Sequence, residues 1–136
     1  MTFSEAIQVC FKKYAVFSGR ARRSEYWWWA LFVFVVDLVV NALGGFQPIL
    51  IVMGRGPSGE STVWSFLAAA VTLVLLVPGL AVLFRRLHDT GHSGWWLFIV
   101  LVPIVGLIVL LVFLVREGSP DTNQYGPSPK APAQDM

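Results

Sequence analysis

Three long apolar runs, separated by short polar segments, dominate the chain. They cover approximately residues 26–43, 63–84 and 95–115, and a helix of ~20 apolar residues is enough to cross a bilayer. Upstream of them, residues 2–17 repeat apolar positions at helical spacing with polar residues between. The pattern predicts an all-α integral membrane protein with an N-terminal interfacial amphipathic helix and three apolar transmembrane segments.

The amphipathic segment at residues 2–17 is too short and too polar to cross a membrane. Thr2 and Glu5 have the spacing of a capping box, in which each side chain binds a free backbone N–H of the other residue. Its aromatic face fits two environments equally well. It either rests at the membrane interface or packs on the protein's own helices.

The first apolar run carries polar groups at its start and in its middle. Ser24 is predicted to cap the helix, and Glu25 suits its positive end. Asp37 is about halfway along, near the bilayer centre, where an aspartate costs about 2.5–3.5 kcal/mol. We therefore expect Asp37 to face another helix or water. It is either a proton or cation site or a carboxyl group bonded to a neighbour such as Asn41.

The second and third runs each contain a proline. A loop over residues 46–62 precedes the second run on the far side of the membrane, and Pro78 is expected to free a backbone carbonyl near its end. In the third run, Pro103 and Gly106 permit either one kinked crossing or a hairpin that turns back at Pro103. Only the hairpin returns the C-terminal tail to the side from which the run began.

The chain is predicted to form a single membrane domain over residues 1–116, followed by a flexible polar tail at 117–136. The tail is rich in Pro, Gly, Ser and Asp and has too few apolar residues to build a core. Within it, residues 123–127 (Asn-Gln-Tyr-Gly-Pro) have turn chemistry.

The segment between the second and third runs, residues 85–96 (RRLHDTGHSGWW), is called the hub here because it concentrates ionisable side chains. If the second helix continues to Asp89, Arg85 and Asp89 are one turn apart and can pair, with His88 beside them, and Ser93 can cap the third helix. Three interpretations remain: arginines that fix topology, recognition of an anionic headgroup, or a metal or acid–base site formed by His88, His92 and Asp89.

Composition and charge limit the class and the orientation. Hydrophobic residues make up 56% of the chain, charged residues 13%, and mean hydropathy is +0.67, values that exclude an ordinary soluble domain of 136 residues. With the N-terminus inside, seven of the ten basic residues precede the first run or lie in the hub. The positive-inside rule then predicts a cytoplasmic N-terminus. The small net charge of +2 gives no indication of nucleic-acid binding.

Three sequence boxes carry a resemblance to a known family. They are residues 17–27 (FSGRARRSEYW), the hub, and residues 123–127. Together they resemble the domain-of-unknown-function 805 (DUF805) family, YhaH-like small bacterial inner-membrane proteins. The resemblance implies a multi-pass helical protein of the bacterial plasma membrane, and it implies no activity, substrate or cofactor.

The function expected from the sequence is a non-enzymatic membrane module. It would bind lipid headgroups, anionic ones above all, or a membrane-protein partner or second copy, through a cytoplasmic basic face. No cofactor and no metal site is assigned. The expected binding residues are Arg20, Arg22, Arg23, Glu25, Arg85, Arg86, His88 and Asp89. The alternative is a small transporter subunit or a metal or acid–base enzyme that uses His88, His92, Asp89 and Asp37.

Overall fold

The computed structural model describes residues 1–44 and 59–130, and in these ranges the chain is helical and has no β-strand. The predicted all-α class is confirmed. The predicted loop up to residue 58, and the last six residues of the tail, lie outside the described residues. The helices, in chain order, are α1 (Phe3–Lys12), α2 (Arg23–Leu43), α3 (Gly59–Asp89), a 3-10 helix (Gly94–Leu101) and α4 (Val105–Val115).

Two of the described helices are long and apolar enough to cross a membrane. They are α2 and the part of α3 from Val63 to Asp89, which contain 21 and 27 residues. At ~1.5 Å per residue, both match or exceed the ~30 Å hydrocarbon thickness of a bilayer. The third apolar run is not one continuous helix, so three crossings are not confirmed. α3 begins before the predicted residue 63 and continues past residue 84 to Asp89, which places the first part of the hub on its last turn.

The N-terminal capping of two helices differs from the prediction. Arg22, in extended conformation, is the N-cap of α2, so Ser24 lies inside the first turn and caps nothing. Ser93 does occupy the N-cap position of the 3-10 helix, but its hydroxyl makes no capping hydrogen bond. The N-cap of α2 is therefore two residues earlier than predicted.

α1 begins with the predicted capping box and packs on α2. The Thr2 backbone donates to Glu5 at 2.8 Å, and the Glu5 backbone donates to the Thr2 hydroxyl at 3.3 Å. The Phe3 ring meets Trp28 edge to face at 5.7 Å, and Phe11 meets Trp29 at 5.3 Å. Of the two environments open to its apolar face, the structure shows packing on the protein's own helices. α1 ends at Lys12, short of the predicted residue 17.

Pro78 lies within α3 and frees a backbone carbonyl, as predicted. Proline has no N–H, so the carbonyl of Val74, four residues earlier, lacks its helical donor. The hydroxyl of Tyr14 donates to that carbonyl. The segment after α1 is thereby joined to the middle of α3.

α2 and α3 approach each other closely at two levels. At one level, a Cβ on Gly44 would be 3.3 Å from Trp64, and at the other a Cβ on Gly79 would be 3.4 Å from the Trp29 indole nitrogen. From Tyr26 to Val40 on α2, and from Ala68 to Leu83 on α3, the two helices line a cavity of about 470 Å³. We call it the interhelical groove.

The third apolar run turns back at Pro103. Ile104 has φ 65° and ψ −62°, and the Val105 N–H donates to the Pro103 carbonyl at 2.7 Å, which defines a γ-turn of the rare, strained kind. The Gly106 N–H donates to the Val102 carbonyl at 3.0 Å. These bonds reverse the chain between the 3-10 helix and α4.

The two arms of this hairpin pack along their whole length. Near the turn, the backbone of Gly106 lies directly against the Ile99 carbonyl. At the open end, the Phe113 ring stacks on His92 at 4.0 Å and meets Trp96 edge to face at 5.3 Å. Of the two arrangements allowed by Pro103 and Gly106, the structure has the hairpin, and the tail returns to the hub.

Candidate functional site

The three sequence boxes, which are far apart along the chain, meet at one end of the helices. The hairpin brings residues 116–130 back to the hub, and the segment between α1 and α2 lies on the same side. The Ala21 N–H donates to the Arg85 carbonyl at 3.0 Å, and the Ser119 N–H donates to the Asp89 carbonyl at 2.8 Å. The boxes therefore form one composite site.

Arg20 joins all three boxes. Its Nε donates to the Asp89 carboxylate at 3.0 Å, in an ion pair whose side chains are at most 5% exposed. The other guanidinium nitrogens donate to tail carbonyls, at 2.8 Å for Asp121 and 3.2 Å for Gly126, and also to Ser119. A guanidinium has five donors in one plane, which suits it to hold several carbonyls at once.

Arg86 is the second arginine bound to Asp89. It pairs with the Asp89 carboxylate three residues on, and its Nε donates to the Leu114 carbonyl at 3.2 Å. It also donates to the carbonyl of Arg116, at the C-terminal end of α4. The carboxylate of Asp89 thus lies between two buried guanidinium groups.

The predicted pair between Arg85 and Asp89 is wrong. Arg85 pairs instead with Glu25 in the first turn of α2, because its position on α3 faces α2 while Arg86 and Asp89 face the tail. Arg85 is fully buried, and its Nε and Nη2 have no hydrogen-bond partner among the described residues. Cys10 of α1 is buried in the neighbouring cluster with Trp29. Burial raises the pKa of the Cys10 thiol to about 12.

The two histidines of the hub serve different contacts. His88 stacks on Tyr125 at 4.0 Å, and its Nδ1 is 3.0 Å from the Gly19 carbonyl. His92 follows Gly91, whose φ of 81° ends the helix, and its Nδ1 is 3.1 Å from the Thr90 hydroxyl. Burial, followed by the charge of Arg116, lowers the pKa of His92, which favours the neutral ring. Within the described residues, no three His, Cys, Asp or Glu side chains are grouped to hold a metal ion.

The tail contributes to the site more than the sequence indicated. Asn123 Nδ2 donates to the His88 carbonyl at 2.9 Å, and the Asn123 side chain also accepts from the Tyr125 N–H, which is the predicted turn chemistry. A Cβ on Gly118 would overlap the Asp89 carboxylate, so only glycine fits there. Between residues 119 and 129, backbone carbonyl oxygens of the tail accept hydrogen bonds from Arg20 and Arg22, so these arginine donors find their acceptors in the tail.

The eight predicted binding residues divide by burial. Arg20, Glu25, Arg85, Arg86 and Asp89 are buried and bonded to one another or to backbone. The other three are half-buried. Arg22 donates to the Pro129 carbonyl at 2.7 and 2.9 Å, and Arg23 forms a loose pair with Glu117 at 3.3 Å. Only Arg22 and Arg23 among the eight keep a cationic group near the surface.

Asp37 is far from this composite site. It lines the interhelical groove, with its carboxylate unbonded among the described residues. The expected bond with Asn41 is present in a different form, because Asn41 Nδ2 donates to the backbone carbonyl of Asp37 at 2.7 Å. Asp37 itself is exposed, and Ala68 and Thr72 of α3 line the same groove.

Comparison with known protein families identifies the family of this chain. The model of the family described as "Protein of unknown function (DUF805)" matches residues 14–127, which include all three boxes and Tyr14. The chain belongs to the DUF805 family. The match leaves α1 outside and extends to the end of the tail box, so the part of the chain shared with the family is the part that builds the composite site.

Two relatives from Escherichia coli K12 cover most of this chain. The inner membrane protein YhaH is 37% identical over 123 residues, which are 88% of this chain and 91% of YhaH. The inner membrane protein YhaI is 39% identical over 119 residues, 88% of this chain and 90% of YhaI. No solved structure matches the chain. The family, these relatives and the two apolar helices confirm a bacterial inner-membrane protein.

Proposed function

We propose that this protein is a non-enzymatic membrane module that crosses the inner membrane twice and binds anionic lipid headgroups on its cytoplasmic face. α2 and α3 are the two crossings. The hairpin of the 3-10 helix and α4 enters the cytoplasmic leaflet and returns. The composite site holds these parts together, and the exposed basic residues around it meet the headgroups.

The dimensions of the hairpin support a half-membrane segment. Eight residues of 3-10 helix at ~2.0 Å each, and eleven residues of α-helix at ~1.5 Å each, both give about 16 Å. This is about half of the ~30 Å hydrocarbon core. The turn satisfies its own N–H groups, as lipid demands, and the tip residues Leu101 and Ile104 are exposed.

The charge distribution supports a cytoplasmic composite site. With the hairpin, Arg116 and Lys130 join the seven basic residues already assigned to the cytoplasmic side, which leaves Arg55 of the predicted far-side loop as the exception. Nine basic residues on the cytoplasmic side and one on the far side make a stronger asymmetry than the seven and three that a third crossing would give.

Sidedness is the first test of this topology. Native Cys10 is expected to stay unlabelled by a membrane-impermeant maleimide, because it is buried and its raised pKa keeps the thiol protonated at neutral pH. Single cysteines at Ser18 and Ser128 should label only in opened cells, and one at Ser58 should label in intact cells. Labelling at Ser128 in intact cells would contradict the hairpin topology.

The exposed charge around the composite site is what favours headgroup binding. Six basic side chains of the described region are not buried, whereas only three described acids outside the two membrane-spanning helices are exposed, namely Glu5, Glu117 and Asp121. The pair between Arg23 and Glu117 is solvent-exposed and therefore weak, so a phosphate can compete for Arg23. Trp27 and Trp28 follow on the next turn with exposed rings, at the depth that indoles prefer in a bilayer interface. The six are Lys12, Lys13, Arg22, Arg23, Arg116 and Lys130.

Quenching of tryptophan by brominated lipids tests headgroup selectivity. In nanodiscs of phosphatidylcholine, brominated phosphatidylglycerol is expected to quench more strongly than brominated phosphatidylcholine at equal mole fraction. Replacing both Arg22 and Arg23 by glutamine should reduce this preference at least about fivefold, since each basic residue near an anionic surface contributes ~1 kcal/mol. Asp121→Asn, which removes an exposed acid from the same face, is the matched control and should retain the preference.

The preference for brominated phosphatidylglycerol is expected to weaken as the salt concentration rises, because exposed charges are screened. Equal quenching by both lipids in the unmodified protein, or an unchanged preference in the double variant, would refute headgroup binding.

A further inference from the structure

We propose that the interhelical groove between α2 and α3 is a binding site for a lipophilic cation. This site is separate from the proposed headgroup face and does not depend on it. It is built from Asp37, the aromatic residues of α2 and the apolar face of α3.

The groove has the size and lining of a small-molecule site. Its volume of about 470 Å³ falls within the ~300–1,000 Å³ of typical ligand pockets. Valine, leucine and alanine side chains of both helices supply most of its wall. α2 lines it from Tyr26 to Val40 and α3 from Ala68 to Leu83, so the groove is a feature of how these two helices pack.

Asp37 gives the groove its charge preference. Its carboxylate has no hydrogen-bond or ion-pair partner among the described residues, and a charged side chain near the bilayer centre is costly unless paired. Thr72, which lines the groove from α3, already donates its hydroxyl proton to the Ala68 carbonyl at 2.9 Å. The Thr72 oxygen can therefore still accept a hydrogen bond but has no proton left to donate. Because the carboxylate and this oxygen are both electron-rich, a cationic ligand suits the site.

Aromatic side chains favour a cation with a large apolar body. Phe34 lines the groove one turn before Asp37, and Tyr26 and Trp29 line it towards the hub end. Aromatic rings attract cations, most strongly where water is excluded. An inorganic ion would leave most of this apolar wall unused, whereas a lipophilic cation uses both the carboxylate and the rings.

Trp29 adds a second polar feature at the other end of the groove. Its ring is 2% exposed, and its indole N–H has no hydrogen-bond partner in the described part of the chain. A buried unpaired donor is uncommon and costs about 1–3 kcal/mol. Trp29 and Asp37 are eight residues apart, about 12 Å along the helix. A ligand with a hydrogen-bond acceptor about that far from its charge would satisfy both groups.

The test uses two ions of the same shape and opposite charge. The full-length protein is placed in nanodiscs of phosphatidylcholine alone, and binding of radiolabelled tetraphenylphosphonium is measured by equilibrium dialysis. We expect saturable binding of about one ion per chain, which tetraphenylborate does not displace. Asp37→Asn should weaken the binding at least tenfold, and Asp37→Glu should retain it.

Two further variants separate charge from shape. Leu38→Asn puts an amide at the same depth on a residue that does not line the groove, and it should bind as the unmodified protein does. Ala68→Phe keeps Asp37 but fills the groove, and it should lose binding. Thermal unfolding of every variant identifies any that fails to fold, and Leu38→Asn and Ala68→Phe report independently of Asp37.

Several outcomes would overturn the proposal. They are binding of the phosphonium that is not saturable, equal binding of tetraphenylborate, or unchanged binding in folded Asp37→Asn. Co-purification of a phospholipid in the groove, retained in Asp37→Asn, would assign the groove to an acyl chain instead. A crosslinked dimer through α2 that excludes the phosphonium would assign it to a second copy.

Discussion

Replacing Asp89 by asparagine is expected to lower the free energy of unfolding by about 3–5 kcal/mol. The Asp89 carboxylate lies between the buried guanidinium groups of Arg20 and Arg86, and an amide of the same shape would leave two buried positive charges without a counter-ion. The amide N–H group would also face guanidinium donors. Denaturant unfolding in detergent micelles, followed by the circular dichroism of the helices, measures the change.

Glu117→Gln is the matched control for Asp89. It removes one carboxylate that also binds two basic side chains, Arg23 and Lys130, but none of the three is buried, so stability should be nearly unchanged. Equal effects of the two substitutions would mean that the ion pairs of the composite site contribute no more than surface pairs do.

Gly106→Ala is expected to destabilise the hairpin by about 1–3 kcal/mol, the usual cost of overpacking. A Cβ at this position would overlap the Ile99 carbonyl, which is backbone and cannot rotate away, so the two arms must separate. Because the hairpin carries the tail back to the hub, trypsin should cleave after Arg116 faster than in the unmodified protein.

Gly79→Ala provides the comparison for Gly106. It is also a glycine in a helix at a contact, but its added Cβ would be 3.4 Å from Trp29, an ordinary packing distance. Its tryptic cleavage rate should match that of the unmodified protein. If Gly106→Ala is as resistant as Gly79→Ala, the close approach of the two arms is not what holds the tail.

The sequence correctly predicted the features that depend on residues close together along the chain. The length of the apolar runs located α2 and α3, the Thr2–Glu5 pair gave the capping box, and Pro78 gave the free carbonyl. Each of these signals lies within one continuous stretch of the chain. The hairpin was one of two arrangements compatible with Pro103, because the choice depends on packing between Gly106 and Ile99 that composition does not reveal.

The partners of the arginines could not be predicted in the same way. The sequence contains every charged residue of the composite site, but it does not show which of them pair. The predicted partner of Arg85 was Asp89, whereas in the structure it is Glu25, 60 residues away. The tail carbonyls that bind Arg20 are backbone groups, which carry no residue-specific signal. Asp37 was singled out by its position within an apolar run, while the groove beside it depends on how two helices pack.

The order in which the chain is made has a consequence for the composite site. Arg20 is synthesised well before two of its acceptors, Asp121 and Gly126, which are 101 and 106 residues later in the chain. Contacts between such distant segments form late, since the chain between them must first be ordered. During synthesis, therefore, α2 and α3 can insert while the guanidinium groups of Arg20 and Arg86 still lack their tail acceptors. The tail segment from Ser119 to Gly126 then completes the composite site last, and a chain interrupted before it would leave Arg20 without these acceptors.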